Sequence, residues 1–240
     1  MWEMARHSTK DKHPSADIST RGLRDADSIA ERLLASSMRF ARLATSAYVS
    51  EEWDLFYLHL ATSVEQLLKG VLAQAHPSFI ADARANFDSL LHLCGFGSRA
   101  RTPDFVAAVR TVTATEALLR VERVVDGYRE PSPRIRLLLE IRNGIIHVGD
   151  QGRGQAGATL GDVGSFVETL LPSLGLTNSD YWGDRADMVA SLTKRRLSEI
   201  EAGSKRALKE SSAQGASATG KSRIEWTMPR ELLLSPRWLQ

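Results

Sequence analysis

The sequence predicts an all-α protein, a helical bundle of four to five long helices with a flexible basic C-terminal tail. Three observations predict it. Apolar residues recur at three- and four-residue spacing through most of the chain. Helix start signals recur too, with Thr102-Pro103-Asp104 and Ser132-Pro133 the clearest. No convincing strand run is present, nor any repeat with a period of roughly 20–50 residues.

Residues 1–24 are polar, charged and aperiodic, the composition of a disordered arm. The first helix is expected to begin near Asp25 to Ser28, with Ile29, Leu33, Leu34, Met38, Ala41 and Leu43 at helical spacing. Ser50 reads as the N-cap of the next helix, and Glu51 and Glu52 in its first turn suit the dipole. That helix runs through "WDLFYLHLATSVEQLLKGVLAQA" until Pro77 stops it. "SFIADARANFDSLLHLCGFG" reads as two short helical pieces ending at Gly95 or Gly97. From the Thr102 cap a single helix is expected to about Tyr128, burying Phe105, Val109, Val112, Leu118, Leu119, Val121 and Val125. The Ser132 cap opens "RIRLLLEIRNGIIHV", which Gly149 closes. After the loop "QGRGQAG", two further helices are expected near 160–171 and 179–202. The domain plan is then an N-terminal arm (1–24), a helical domain (25–203), a linker (204–223) and a C-terminal docking or partner-binding peptide (224–240) with two Trp and three consecutive Leu.

Composition narrows the function classes. The chain has 240 residues, 42% hydrophobic and 25% charged, which suits one sizeable domain with tails. The single cysteine, Cys94, excludes an internal disulfide and a four-cysteine zinc site, and fits a reducing compartment. No apolar run approaches the roughly 18–20 residues of a bilayer span, and "MWEMARHSTKDKHPSAD" lacks the apolar stretch of a signal peptide. The expectation is a cytoplasmic protein with no membrane partner. The formal charge of +2 is uneven. Residues 205–240 hold seven Lys/Arg against three Asp/Glu, and residues 1–24 hold five against three, so the body between them is net −4. The body is therefore not a uniformly positive nucleic-acid binder.

The chemistry concentrates in "IRNGIIHVGD", residues 141–150. Asn143 and His147 are four apart and stack on one helical face. Arg142 is one step round, and its long side chain reaches across. Gly144 lies between them at a cost of about 0.5–1 kcal/mol relative to Ala, which close packing against a helix or a substrate would offset. There is no Cys or carboxylate cluster at metal-ligand spacing, no Gly-rich phosphate loop and no nucleophile elbow. An imidazole that trades protons near neutral pH, beside a guanidinium that stabilises anionic oxygens, suits cleavage of RNA, whose 2′-OH is its own nucleophile. Blander readings stand beside this one. His147 also suits a helix C-terminus, worth about 0.3–1 kcal/mol, and Arg142 suits an ion pair with Glu65. Glu65 and Lys69 read as an i,i+4 surface pair. His59, His92 and Cys94 read as core-edge residues.

"RNGIIH" resembles the Arg-polar-x-x-x-His signature of the HEPN superfamily. "HLATSVEQLLKGVLAQAHPSFI" is similar to that family's long early helix, with Glu65 and Lys69 one turn apart. "SLLHLCGFG" resembles its short His-Leu segment, and "LLLEIRNGIIHVGD" its motif helix. The similarity spans roughly residues 30–170. It implies a helical bundle that forms a homodimer around a composite, metal-independent endoribonuclease site with no cofactor. Carried over, His147 is the acid/base group, Arg142 the phosphate clamp and Asn143 an orienting or phosphate-binding residue, with Glu65 and Lys69 on the substrate side. Many such proteins are toxins or antiviral defence effectors with a cognate antitoxin or neighbouring-gene partner. Others bind RNA or protein without catalysis.

Overall fold

A computed structural model of the chain describes residues 18–102, 104, 108–126, 133–139 and 155–218, with side chains described from Ile29 to Lys209. The described residues are all-α, with an isolated bridge between Ala81 and Thr111 and no extended strand. They divide into two units, Met1–Arg196 and Leu197–Gln240.

The frame of the first unit is a hairpin of α1 (Ile18–Val49) and α2 (Trp53–Ala75). α1 begins at Ile18, so residues 18–24 are helical rather than part of an arm ending at 24. Arg21, Leu23 and Arg24 are strong helix formers that outweigh the single Gly22. The buried face of α1 is built from small side chains, Ser37, Ala41, Ala44 and Ala47, which lets α2 come close. α2 answers with Leu60, Ala61, Val64, Leu67 and Leu68, each fully buried. A fully buried Leu contributes about 1.5–3 kcal/mol relative to an exposed one. At Gly70 a β-carbon would stand 2.6 Å from Leu34 Cδ2, so the glycine forms the notch that seats Leu34.

The hairpin turn corrects one expectation. The Ser50 N–H still donates to the Ser46 carbonyl (3.0 Å) and the Glu52 N–H to the Ala47 carbonyl (2.9 Å), so Ser50 closes α1 rather than opening α2. Glu51 takes the left-handed conformation at φ +59° that this closure needs. α2 starts from Glu52 without a side-chain cap, and Asp54 in its first turn complements the dipole.

Pro77 ends α2 as expected and starts a short 3₁₀ turn, Pro77–Ile80. α3 (Phe87–Leu93) follows, capped by Asn86, whose side chain accepts from the Ser89 N–H at 2.9 Å. Gly95 at φ +81° terminates it, and the Phe96 N–H reaches back to the Leu91 carbonyl at 2.7 Å. The single helix expected from 102 to 128 is instead broken. Residues 109–113 are non-helical, Thr111 bridges Ala81, and α4 starts anew as Ala114–Val124. The β-branched run Thr111-Val112-Thr113 disfavours helix. Thr113, three before Glu116, is a cap signal of its own, and its hydroxyl accepts from the Glu116 N–H at 3.2 Å. Arg120 then donates to the carbonyls of Phe79 (2.8 Å) and Ala81 (2.9 Å), tying α4 to the 3₁₀ turn.

Residues 133–139 form the described part of α5, with Pro133 at its first position and Ile135, Leu138 and Leu139 buried. α6 (Ala156–Leu170) is buried almost all round. Its Gly161 lies against α8 so closely that a β-carbon would stand 2.8 Å from the Leu192 carbonyl oxygen. α7 (Asn178–Trp182) is held by a capping box between Thr177 and Asp180, and Gly183 at φ +59° separates it from α8 (Ala186–Ala218). The helix expected at 179–202 is thus two helices, because Gly183 supplies a left-handed break.

In the second unit, the described residues Leu197–Ala218 are the continuation of α8. Residues 204–218, expected as linker, are helical here. Lys205, Arg206, Ala207, Leu208 and Lys209 are good helix formers and outweigh Gly203 and Gly215. No helix among the described residues is long and apolar enough to cross a membrane.

Candidate functional site

Arg142, Asn143 and His147 lie outside the described residues, as do residues 1–17 and the 224–240 peptide. The described surroundings are the α5 stretch that leads into the motif and the helices packed with it.

Glu65 and Lys69, read from the sequence as a surface pair, are both buried, each 6% exposed. α2 is covered on nearly every side in its second half, so its i,i+4 pair has no solvent face. Lys69 Nζ donates to Glu65 Oε1 at 2.7 Å and to Thr111 Oγ1 at 3.0 Å. Burial pushes the ammonium down to about 8, while the carboxylate against it favours the charged form. The pair also explains the bridge, since the lysine hydrogen-bonds the non-helical 109–113 segment to α2.

A second polar cluster was not foreseen from the sequence. Asp162 on α6 has its carboxylate buried at 3% exposure and held between two arginines. Arg196 Nε on α8 donates to Oδ1 at 2.8 Å, and Arg134 Nε on α5 stands 3.7 Å from Oδ2. Tyr57 on α2 belongs to the same region. Burial raises its phenol, while a hydrogen bond with Thr159 and the charge of Arg134 act against that rise. Four helices therefore meet at one polar seam, one of them the α5 stretch that precedes Arg142 in the sequence. The signal in the sequence was an aspartate inside the small and apolar run "TLGDVGS", where a lone carboxylate needs partners.

A third buried network is directional. Ser37 Oγ donates to the Ser63 carbonyl at 2.8 Å. With that proton committed, Tyr181 Oη donates to Ser37 Oγ (2.7 Å) and accepts from Ser63 Oγ (2.8 Å). Burial pushes the Tyr181 phenol up to about 12, so it stays neutral and ties α7 to the α1/α2 hairpin.

The remaining candidates are structural. His59 lies against the Phe40 ring with centroids 5.7 Å apart, and burial lowers its pKa. His92 Nε2–H donates to the Thr102 carbonyl at 2.7 Å, while Gly97 packs against its ring. Burial raises the Cys94 thiol. Among the described residues no three His, Cys, Asp or Glu side chains gather as a metal-ion site.

No known protein family, curated protein or solved structure matches this chain.

Proposed function

We propose that the chain is a HEPN-like, metal-independent endoribonuclease acting as a homodimer. The observation that carries this reading is the spacing Arg142-Asn143-x-x-x-His147, reached from the α5 start in a chain whose described body is all-α. In the reaction, a base removes the proton of a ribose 2′-OH. The 2′ oxygen bonds to phosphorus, the bond to the 5′ oxygen breaks, and an acid protonates that leaving oxygen. His147 moves protons, Arg142 stabilises charge on the phosphate, and Asn143 orients the imidazole or the scissile phosphate. Glu65 and Lys69 serve from within the bundle, where their burial suits holding α2 and the 109–113 segment in place. A toxin or defence effector, held in check by an antitoxin or neighbouring-gene partner, is the setting this chemistry fits.

The test is cleavage of several RNAs by purified protein in EDTA. The expected products carry 2′,3′-cyclic phosphate and 5′-OH ends, and His147→Ala removes the activity. Cleavage no faster than that of His147→Ala would refute the enzyme. The rival reading is a non-catalytic HEPN-like RNA- or protein-binding module, favoured by the net −4 of the body and by the Trp/Leu peptide at 224–240. Deleting residues 204–240 separates the two. An enzyme keeps its cleavage rate, whereas a tail-dependent binding module loses its partner.

A further inference from the structure

We infer that the outer part of α8, residues 197–209, pairs antiparallel with the same helix of a second chain about a two-fold axis at Ser204. The contact uses no residue of the 142–147 motif, so it goes beyond the nuclease reading and does not rest on it.

The helix itself fixes which side chains share a face. Residues 197–209 are helical throughout, and every residue from Ser198 to Lys209 except Ala202 is exposed. A step of about 100° per residue puts Leu197, Ile200 and Leu208 within about 40° of Ser204. Ile200 stands one turn before Ser204 and is 43% exposed, and Leu208 stands one turn after it and is 71% exposed. The large aliphatic groups of this stretch therefore lie on one stripe, with Ser204 between them. Ser204 and the neighbouring Ala207 are small, which lets a second helix cross closely there.

The charges make the stripe complementary to itself. Five side chains from 197 to 209 are charged: Glu199, Glu201, Lys205, Arg206 and Lys209. Glu199, Arg206 and Lys209 lie about 140° or more from Ser204, on the back of the helix. Glu201 and Lys205 lie on one flank of the stripe, about 60° and 100° from Ser204. A two-fold axis through Ser204 reverses the partner helix and keeps this flank on the same side in both chains. Ile200 then meets the partner's Leu208, Leu208 meets the partner's Ile200, and Ser204 meets its own copy. On the flank, Glu201 comes within about 3 Å, measured along the axis, of the partner's Lys205, and symmetry makes that contact twice. A parallel pair would turn Glu201 toward the partner's Arg196 instead, and Asp162 already holds that guanidinium at 2.8 Å. Matching of apolar to apolar and acid to base about one residue is what a second copy requires and an unrelated partner does not. The contact is about 20 Å long, too small for a permanent interface, so the pairing is reversible.

The experiment uses the full chain with Cys94→Ser, so that only introduced thiols react. Mild oxidation of Ser204→Cys is expected to link two chains. Ile200→Cys alone and Leu208→Cys alone do not link, because their copies stand about 12 Å apart along the axis, beyond the reach of a disulfide. Mixing those two variants links one to the other. In sedimentation velocity, Leu208→Glu weakens the concentration-dependent association by about tenfold or more. Glu201→Lys and Lys205→Glu each weaken it by about twofold to thirtyfold. A mixture of these two charge variants pairs again, because opposite charges then meet at both flank contacts. A helix merely weakened by either substitution would not be rescued by mixing. Each substituted position except Ser204 and Cys94 is tested by an unchanged thermal melt as well, since all of them on α8 are exposed.

A link formed by Ile200→Cys or Leu208→Cys alone means a parallel pair and overturns the register. No link at Ser204→Cys, or charge variants that pair no better mixed than alone, overturns the contact. A link that forms only after residues 224–240 are deleted also overturns it, and makes that peptide the occupant of the stripe. No RNA enters these measurements, so the nuclease reading stands or falls separately.

Discussion

The two buried charge clusters of this chain look alike on paper and differ in kind. In one, Glu65 holds Lys69 on a single helix, four residues apart. In the other, Asp162 on α6 holds Arg134 of α5 and Arg196 of α8, 28 residues before it and 34 after it. The first is formed within one helix and nearly sealed from water, with 8% of each side chain exposed. The second joins helices distant in sequence, and its arginines keep 31% and 21% of their side-chain surface in contact with water. A lysine can also discard its proton when its partner is lost, whereas a guanidinium cannot. The difference teaches that burial alone does not set what an ion pair is worth. The identity of the cation and its route to water decide it.

The largest expected effect comes from breaking the Glu65–Lys69 pair. Glu65→Gln strands a buried ammonium and costs about 3–5 kcal/mol near neutral pH. The sign of its pH dependence follows from Lys69, whose pKa is pushed from 10.5 down to about 8 in the folded chain. Across that window the unfolded chain binds more protons than the folded one, so this group's contribution to stability rises with pH. The Glu65→Gln deficit should therefore shrink as pH rises, because an unpaired Lys69 sheds its proton still more readily. Urea denaturation between about pH 6 and pH 9 measures it, and a deficit that stays constant would break the comparison. Replacing both partners, Glu65→Leu with Lys69→Met, should cost less than Glu65→Gln alone, because no unpaired ammonium is left buried. If that double variant keeps the cleavage proposed above, the pair is a structural element only.

Asp162→Asn comes next, at about 1.5–3 kcal/mol. Both arginines keep part of their side chains in water, which softens the loss, and the deficit should not vary over the same pH range. A pH-dependent loss like that of Glu65→Gln would erase the distinction.

Gly161→Ala probes the contact that brings α8, and with it Arg196, up to Asp162. Its β-carbon would meet the Leu192 carbonyl oxygen at 2.8 Å and Arg196 Cβ at 2.9 Å. The expected cost is about 1–3 kcal/mol, read by thermal or urea unfolding. Gly203→Ala, by contrast, meets nothing within 4 Å on the outer part of α8. It should strengthen the helix there by about 0.5–1 kcal/mol, seen as slower amide exchange in residues 198–207, with the melting of the first unit unchanged.

Much of the fold was legible because its signals are short-range. The stop at Pro77, the α5 start at Pro133 and the left-handed Gly95 need only a few neighbouring residues to act. Even the misread break at 109–113 left a local trace in Thr113-x-x-Glu116. The misplaced Ser50 cap shows the limit, since Ser-Glu-Glu is a plausible start and also a plausible end. Which one forms depends on the Glu52 N–H reaching back to Ala47. The candidate motif was legible in another way. The Arg142-Asn143-x-x-x-His147 spacing is visible in the sequence and lies outside the described residues, whereas Asp162 gave only the hint of a carboxylate among glycines and aliphatics.

By itself, the sequence determined the helical class, several helix starts and stops such as Pro77, Gly95 and Pro133, and the pairing of Glu65 with Lys69, because each depends on residues within about one turn of one another. Only the tertiary structure decided that this pair is buried, that Asp162 gathers arginines from two other helices, and that Phe79 and Phe87 stand exposed. Those facts depend on which helix faces cover one another. A periodic pattern says that a face is apolar, but the partner that covers it is chosen by packing across the whole chain.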